Sequence, residues 1–199
     1  MAIAQPAVLA DVWSARAHTW ASTLARQAIL VIGGAAFVGL CAQVAVPLPF
    51  TPVPLTLQTF AVLLAGAALG PLRGVLSMSL YALAGIAGMP WFAEGSSGFA
   101  MPSFGYILGF IAAAGLVGRI AENGATRTVW PTAALMIIGN LVIYAVGVTW
   151  LKFAIDSTWV MALELGVVPF VVGDLVKIAL AAGLLPLAWT GLRRAGLLD

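Results

Sequence analysis

Charge is scarce in this chain. Asp, Glu, Lys and Arg make up only 8% of its 199 residues, against about 25% in a typical soluble domain. Apolar residues fill the gap at 62%, and mean hydropathy reaches +1.08. That balance excludes an ordinary soluble fold and marks an integral membrane protein. Cysteine and histidine each occur once. With Cys41 alone, no intramolecular disulfide and no thiolate metal site can form. Cys41 reads as a small apolar packing residue. With His18 alone, a histidine-based metal or catalytic cluster is excluded. There is no G-x-x-x-x-G-K-[ST] phosphate loop. The stretch GDLVK (Gly173–Lys177) has too few glycines to be one and lies inside an apolar run. Paired carboxylates and a Ser–His set are also missing. The chain is therefore expected not to be an enzyme and to carry no cofactor or metal. Any uphill transport must draw its energy from other chains.

What is present is a series of long apolar runs. A helix needs roughly 20 such residues to cross about 30 Å of hydrocarbon. Six segments are predicted to span, near 24–46, 55–70, 73–89, 104–121, 130–152 and 166–190. They are too long and too uniformly apolar for the alternating strands of a barrel. The expected fold is all-α, six transmembrane helices in one compact bundle. Residues 1–23 lack the basic-then-apolar order of a cleaved signal peptide. They read as a mobile tail or a short interfacial helix with Val12, Trp13 and Trp20 toward lipid. Residues 24–190 form the membrane domain, and 191–199 a C-terminal tail.

The basic residues orient this bundle. With both ends on one side, that side receives Arg16, Arg26, Arg73, Arg119, Arg127, Arg193 and Arg194, and the other receives only Lys152. Such a partition places both termini in the cytoplasm by the positive-inside rule. It also accounts for the net charge of +2 and the pI near 9.0 without nucleic acid. On the outer side, Val46–Thr59 carries Pro47, Pro49, Pro52 and Pro54. Proline fixes φ and removes donors. The segment is either a plain rigid loop or a stiff one that dips into a protein-lined cavity. Met89–Phe104 is a second long outer loop, rich in glycine, proline and aromatics.

Two charges remain inside the last span. Asp174 and Lys177 are three residues apart, hence on one helical face. Counted from residue 166, Asp174 should lie roughly 12 Å along the helix. A charge near mid-membrane costs at least ~2.5–3.5 kcal/mol and normally faces a cavity or a partner. Three readings are open: an ion pair that locks helices, a ligand site with an acceptor and a donor at different depths, or a proton relay. The relay lacks a further intramembrane acid or histidine. Asn140 and Tyr144, at i and i+4, together with Tyr106, Gln58 and Thr59, could face the same cavity or make interhelical hydrogen bonds. Trp91 and Phe92 fit an interfacial belt, or a lid that stacks on a flat ligand. Ala35 and Gly39 in the first span form a small-xxx-small pair suited to close helix contact, within the chain or with another protein.

Taken in order, PLPFTPVPLTLQT (Pro47–Thr59), GPLRGVLSMSLYALAGIAGMPWF (Gly70–Phe92), PSFGYILGF (Pro102–Phe110), YAVGVTWL (Tyr144–Leu151) and PFVVGDLVK (Pro169–Lys177) cover about 130 residues. This set resembles the BioY family, the biotin-specific substrate-binding subunits (S components) of energy-coupling-factor (ECF) vitamin transporters. The resemblance implies a multi-pass protein of a prokaryotic plasma membrane that captures biotin from outside. It implies a transmembrane coupling subunit and two cytoplasmic ATPase subunits as partners. It assigns Asp174 and Lys177 to the ligand. Tyr106, Asn140, Tyr144, Ser96 and Trp91 join them as substrate-binding candidates, with Ser96 in the Glu94–Gly98 segment of the glycine-rich outer loop. Ala35 and Gly39 match the family's coupling-subunit contact. The chain departs from the family pattern at Phe104, before Gly105 and Tyr106, where a second glycine is usual. A self-sufficient secondary transporter or channel using the Asp174–Lys177 pair is the competing reading.

Overall fold

The structure is a computed structural model and describes residues 7–14 and 19–198. Arg16 and His18 lie outside the described residues. The chain is a helical bundle: α1 (Leu9–Ser14), α2 (Trp20–Ala42), α3 (Gln58–Leu69), α4 (Pro71–Ile86), α5 (Phe104–Ala121), α6 (Val129–Ala154), α7 (Trp159–Gly166) and α8 (Val171–Arg194). Among the described residues, four helical stretches are long and apolar enough to cross a membrane: Trp20–Ala42, Phe104–Ala121, Val129–Ala154 and Trp159–Arg194. The helices α3 and α4 are apolar but shorter. The protein is membrane-bound, and its outward surface agrees. Ile29, Ile32 and Leu40 on α2, Leu72 and Leu83 on α4, Leu141 on α6 and Val172, Leu175 and Leu187 on α8 are all exposed. Water would penalise such a jacket, whereas lipid does not.

Local chemistry sets the ends. A reciprocal capping box starts α2, with Thr19 accepting from the Ser22 amide and Ser22 accepting from the Thr19 amide. The second expected span begins late, at Gln58, because Leu55–Thr56 (β2) pairs antiparallel with Ala45–Val46 (β1). The proline-rich segment thus closes a short ribbon instead of starting a helix. The sixth expected span is broken near its start. Pro169 sits in a single 3-10 turn, Val168–Phe170, and α8 restarts at Val171. Proline cannot donate to a helical ladder, so α7 and α8 do not fuse. At the other end, α1 turns back onto the bundle. Asp11 pairs with Arg73 at 2.8 Å, and Arg73 also donates to Gln27. Val12 is half-buried, while Trp13 and Trp20 are exposed, Trp20 at 79%.

Helix α5 is the centre of the bundle, packed against α3, α4 and α6. Small residues permit this. A Cβ on Gly109 would stand 3.0 Å from the Ile143 backbone of α6, so any larger residue would push the two helices apart by a few tenths of an ångström. Ala113, Ala114 and Val117 continue the buried face. The small pair on α2 is spent in the same way. Ala35 is 1% exposed, and Gly39 is covered by the Trp91 ring. Ala35 and Gly39 therefore pack within this chain, and the outward face of α2 carries Ile32, Gly33, Phe37 and Leu40.

Candidate ligand site

At the end of the bundle opposite Arg73 lies a cavity of about 50 Å3, lined mostly by apolar groups. Its roof comes from the proline-rich segment through Val53, Pro54 and Thr56, and from the second long loop through Phe92, Ala93 and Ser103. Of the two readings of the proline-rich segment, the one that dips into a protein-lined cavity agrees with this lining. Helix α5 supplies Tyr106, Ile107 and Phe110, α3 supplies Gln58 and Thr59, and α6 supplies Tyr144. Phe170, Asp174 and Lys177 complete the wall.

The charges sit where the Pro169 break puts them. Asp174 lies in the first turn of α8, about 5 Å along its axis, not the 12 Å that an unbroken helix predicts. In that first turn the helix dipole favours an anion. Asp174 Oδ1 accepts from Lys177 Nζ at 3.0 Å, and its Oδ2 accepts from the Tyr144 hydroxyl. Lys177 Nζ also donates to Thr59 Oγ1 at 2.9 Å, across 118 residues of sequence. The two side chains are only 7% and 12% exposed. Buried charges are tolerable when paired and hydrogen-bonded in this way. An ammonium has three hydrogens, of which two are used here. A carboxylate has about four acceptor positions, and those two bonds leave some open. The pair can therefore still donate to an oxygen and accept from an N–H at the cavity wall.

The other candidates separate into lining and support. Tyr106 lines the cavity with its ring, while its hydroxyl donates to Gly166 O at 2.8 Å. Gln58 lines it and donates to Tyr81 Oη at 2.7 Å. Trp91 stands behind the wall. Its indole donates to Tyr81 O at 3.0 Å, and its carbonyl accepts from Tyr81 Oη and Gln43 Nε2. Ser96 does not line the cavity; its hydroxyl donates to Ala93 O at 2.7 Å. Asn140 faces a smaller neighbouring cleft. Of the two candidate lid aromatics, Phe92 is the one that reaches the cavity. Thr56, Ser103, Phe110 and Phe170 escaped the sequence reading. Phe110 had a signal, being four residues beyond Tyr106 on the same helical face. Phe170 had none, because its position depends on the turn at Pro169. Among the described residues, no group of His, Cys, Asp or Glu is placed to hold a metal ion.

A lipid-facing helical bundle with a mostly apolar cavity and one buried, hydrogen-bonded ion pair at its wall is a membrane protein with a candidate site for a small molecule that has both polar and apolar parts. Comparison with known proteins narrows the class. The model of the BioY family matches residues 13–194, and the chain belongs to that family. It is 34% identical over 151 residues to the biotin transporter BioY2 of Lactococcus lactis, covering 74% of this chain and 81% of that one. It is 39% identical over 160 residues to a probable biotin transporter BioY of Pyrococcus horikoshii, covering 79% and 92%. A crystal structure at 2.1 Å of the S-component for biotin from an ECF-type ABC transporter superposes with a TM-score of 0.75 at 25% identity. That match covers 89% of this chain and 95% of the other. These are transport proteins, and the chain is a transporter component, not an enzyme.

Proposed function

We propose that the chain is the substrate-binding component of an ECF-type importer. It captures biotin at the outer face of a prokaryotic plasma membrane and delivers it across with a transmembrane coupling subunit and two cytoplasmic ATPase subunits. The observation that carries this reading is the valence left at the Asp174–Lys177 pair inside an apolar cavity. Biotin combines a ureido group with two N–H donors and a carbonyl, an apolar fused ring, and a chain ending in a carboxylate. Asp174 suits an N–H donor, Lys177 suits the carbonyl or the carboxylate, and Phe92, Ile107, Phe110 and Phe170 suit the ring. The test is mass spectrometry of small molecules retained by purified protein, followed by titration of the stripped protein. Biotin should be recovered at about one per chain and should rebind saturably. Retention of another molecule, with no saturable biotin binding, would remove biotin from the reading. Uptake by the chain alone in ATP-depleted vesicles, matching uptake with its partners, would favour the self-sufficient transporter.

The same reading has six crossings, α2 to α6 and α8, with both termini cytoplasmic. The short lengths of α3 and α4 suit it. At ~1.5 Å per residue they cover roughly 18 and 24 Å, and the ribbon and the aromatic loop occupy the remaining depth. Irregular backbone is tolerated there when it lines a protein cavity. In a Cys41→Ala background, Ser97→Cys should react with an impermeant maleimide from outside, and Arg194→Cys should not. Equal labelling of both would sink this topology.

A further inference from the structure

Beside the ligand cavity is a smaller cleft with room for about one water molecule. Asn140, Thr59 and Lys177 line it, and the last two also line the ligand cavity. Asn140 is 6% exposed, and its Oδ1 is a buried acceptor without a hydrogen-bond partner among the described residues. A buried polar atom in that state usually signals an ordered water. Thr59 shows the complementary lack. Its Oγ1 accepts from Lys177, but no acceptor among the described residues takes its own hydroxyl proton. Thr59 and Asn140 line one water-sized space between them.

We propose that a single ordered water fills this cleft, accepting from the Thr59 hydroxyl and donating to Asn140 Oδ1. The water closes a polar ring. Tyr144 donates to Asp174, Lys177 donates to Asp174 and to Thr59, and Thr59 reaches Asn140 through the water. Asn140 and Tyr144 are one turn apart on α6, so the ring begins and ends on the same helix while tying in α3 and α8. Two of the three ammonium hydrogens are thereby committed, and Lys177 keeps one more donor beside the ligand cavity that it lines. Asn140 is a positioning residue: it acts on the ligand through Thr59 and Lys177, without touching it. The inference rests on the biotin reading for its affinity readout and on the ring itself for its stability readout.

Thr59→Val and Asn140→Leu each delete one member at nearly constant volume. Each should weaken biotin binding by roughly fivefold to tenfold. The double variant should bind no worse than the weaker of the two singles, because one broken ring cannot be broken twice. Asn140→Asp, which keeps an acceptor oxygen in place, should recover most of the loss. In a Lys177→Met background, adding Asn140→Leu should cause no further loss of affinity, whereas a packing role for Asn140 would persist there. Additive losses, wild-type affinity in Asn140→Leu, or a persistent effect without Lys177 would overturn the ring. If the wild-type chain binds no biotin, the functional reading fails separately. Ligand-free thermal unfolding of Thr59→Val, Asn140→Leu and their double then decides the ring, with non-additive losses expected and additive ones refuting it.

Discussion

Lys177→Met is expected to weaken biotin binding at least a hundredfold, and Asp174→Asn about tenfold or more. The asymmetry follows from what each change strands. Lys177→Met removes a donor beside the cavity and leaves the Asp174 carboxylate buried with only the Tyr144 hydroxyl as a side-chain partner among the described residues. Breaking a buried pair from one side typically costs ~3–5 kcal/mol, and each ~1.4 kcal/mol is tenfold in affinity. Asp174→Asn keeps the shape and an acceptor oxygen, so less is lost. Some of the loss in either single variant will come from stability, and ligand-free thermal unfolding measures that share. A double replacement separates the two effects. Removing both charges, as in Asp174→Leu with Lys177→Met, leaves no stranded ion and should recover much of the stability. Its biotin binding should stay absent. If the folded double variant binds as the wild type does, the pair only locks α8 in place, and the ligand is recognised elsewhere.

Gly85→Leu should damage both the fold and the ligand site. A side chain at Gly85 would enter the volume held by the Phe92 ring. Phe92 is fully buried, stands edge-on to Tyr81 with centroids 5.1 Å apart, and lines the cavity. The Gly85 carbonyl also accepts from the Gly98 amide at 2.8 Å, which fastens the far end of the same loop. Overpacking a tight site commonly costs ~1–3 kcal/mol, and here the displaced group is a wall of the site. A fall in unfolding midpoint and a loss of biotin affinity of roughly tenfold or more are expected. The cause can be isolated by adding Phe92→Ala, which vacates the contested space. That double variant should regain stability but not affinity, since the aromatic wall is still missing. Unchanged affinity in Gly85→Leu would show that Phe92 is dispensable to the ligand.

How far the sequence alone reaches is clear from particular residues. Its shortage of charge dictated a helical membrane protein, because backbone polar groups in lipid can be satisfied only within helices or closed barrels. The i, i+3 spacing of Asp174 and Lys177 placed both on one face of the last helix, and they do form an ion pair at the cavity wall. Tyr144 and Tyr106 reach the same cavity. These features are local: hydropathy and helical period act within a few turns of chain.

The tertiary structure decided everything that depends on how helices are rotated against one another. Gln58 and Thr59 meet α4 and α8 only after folding, through Tyr81 and Lys177. Trp91 and Ser96 turned out to brace the cavity from behind, and Phe92 to line it. Ala35 and Gly39 face inward rather than outward. The physical reason is that these helices are apolar on every side. A soluble helix carries a polar stripe that announces its outer face. In lipid, both the core face and the outer face are apolar, so sequence leaves the rotation open and close packing of small residues settles it.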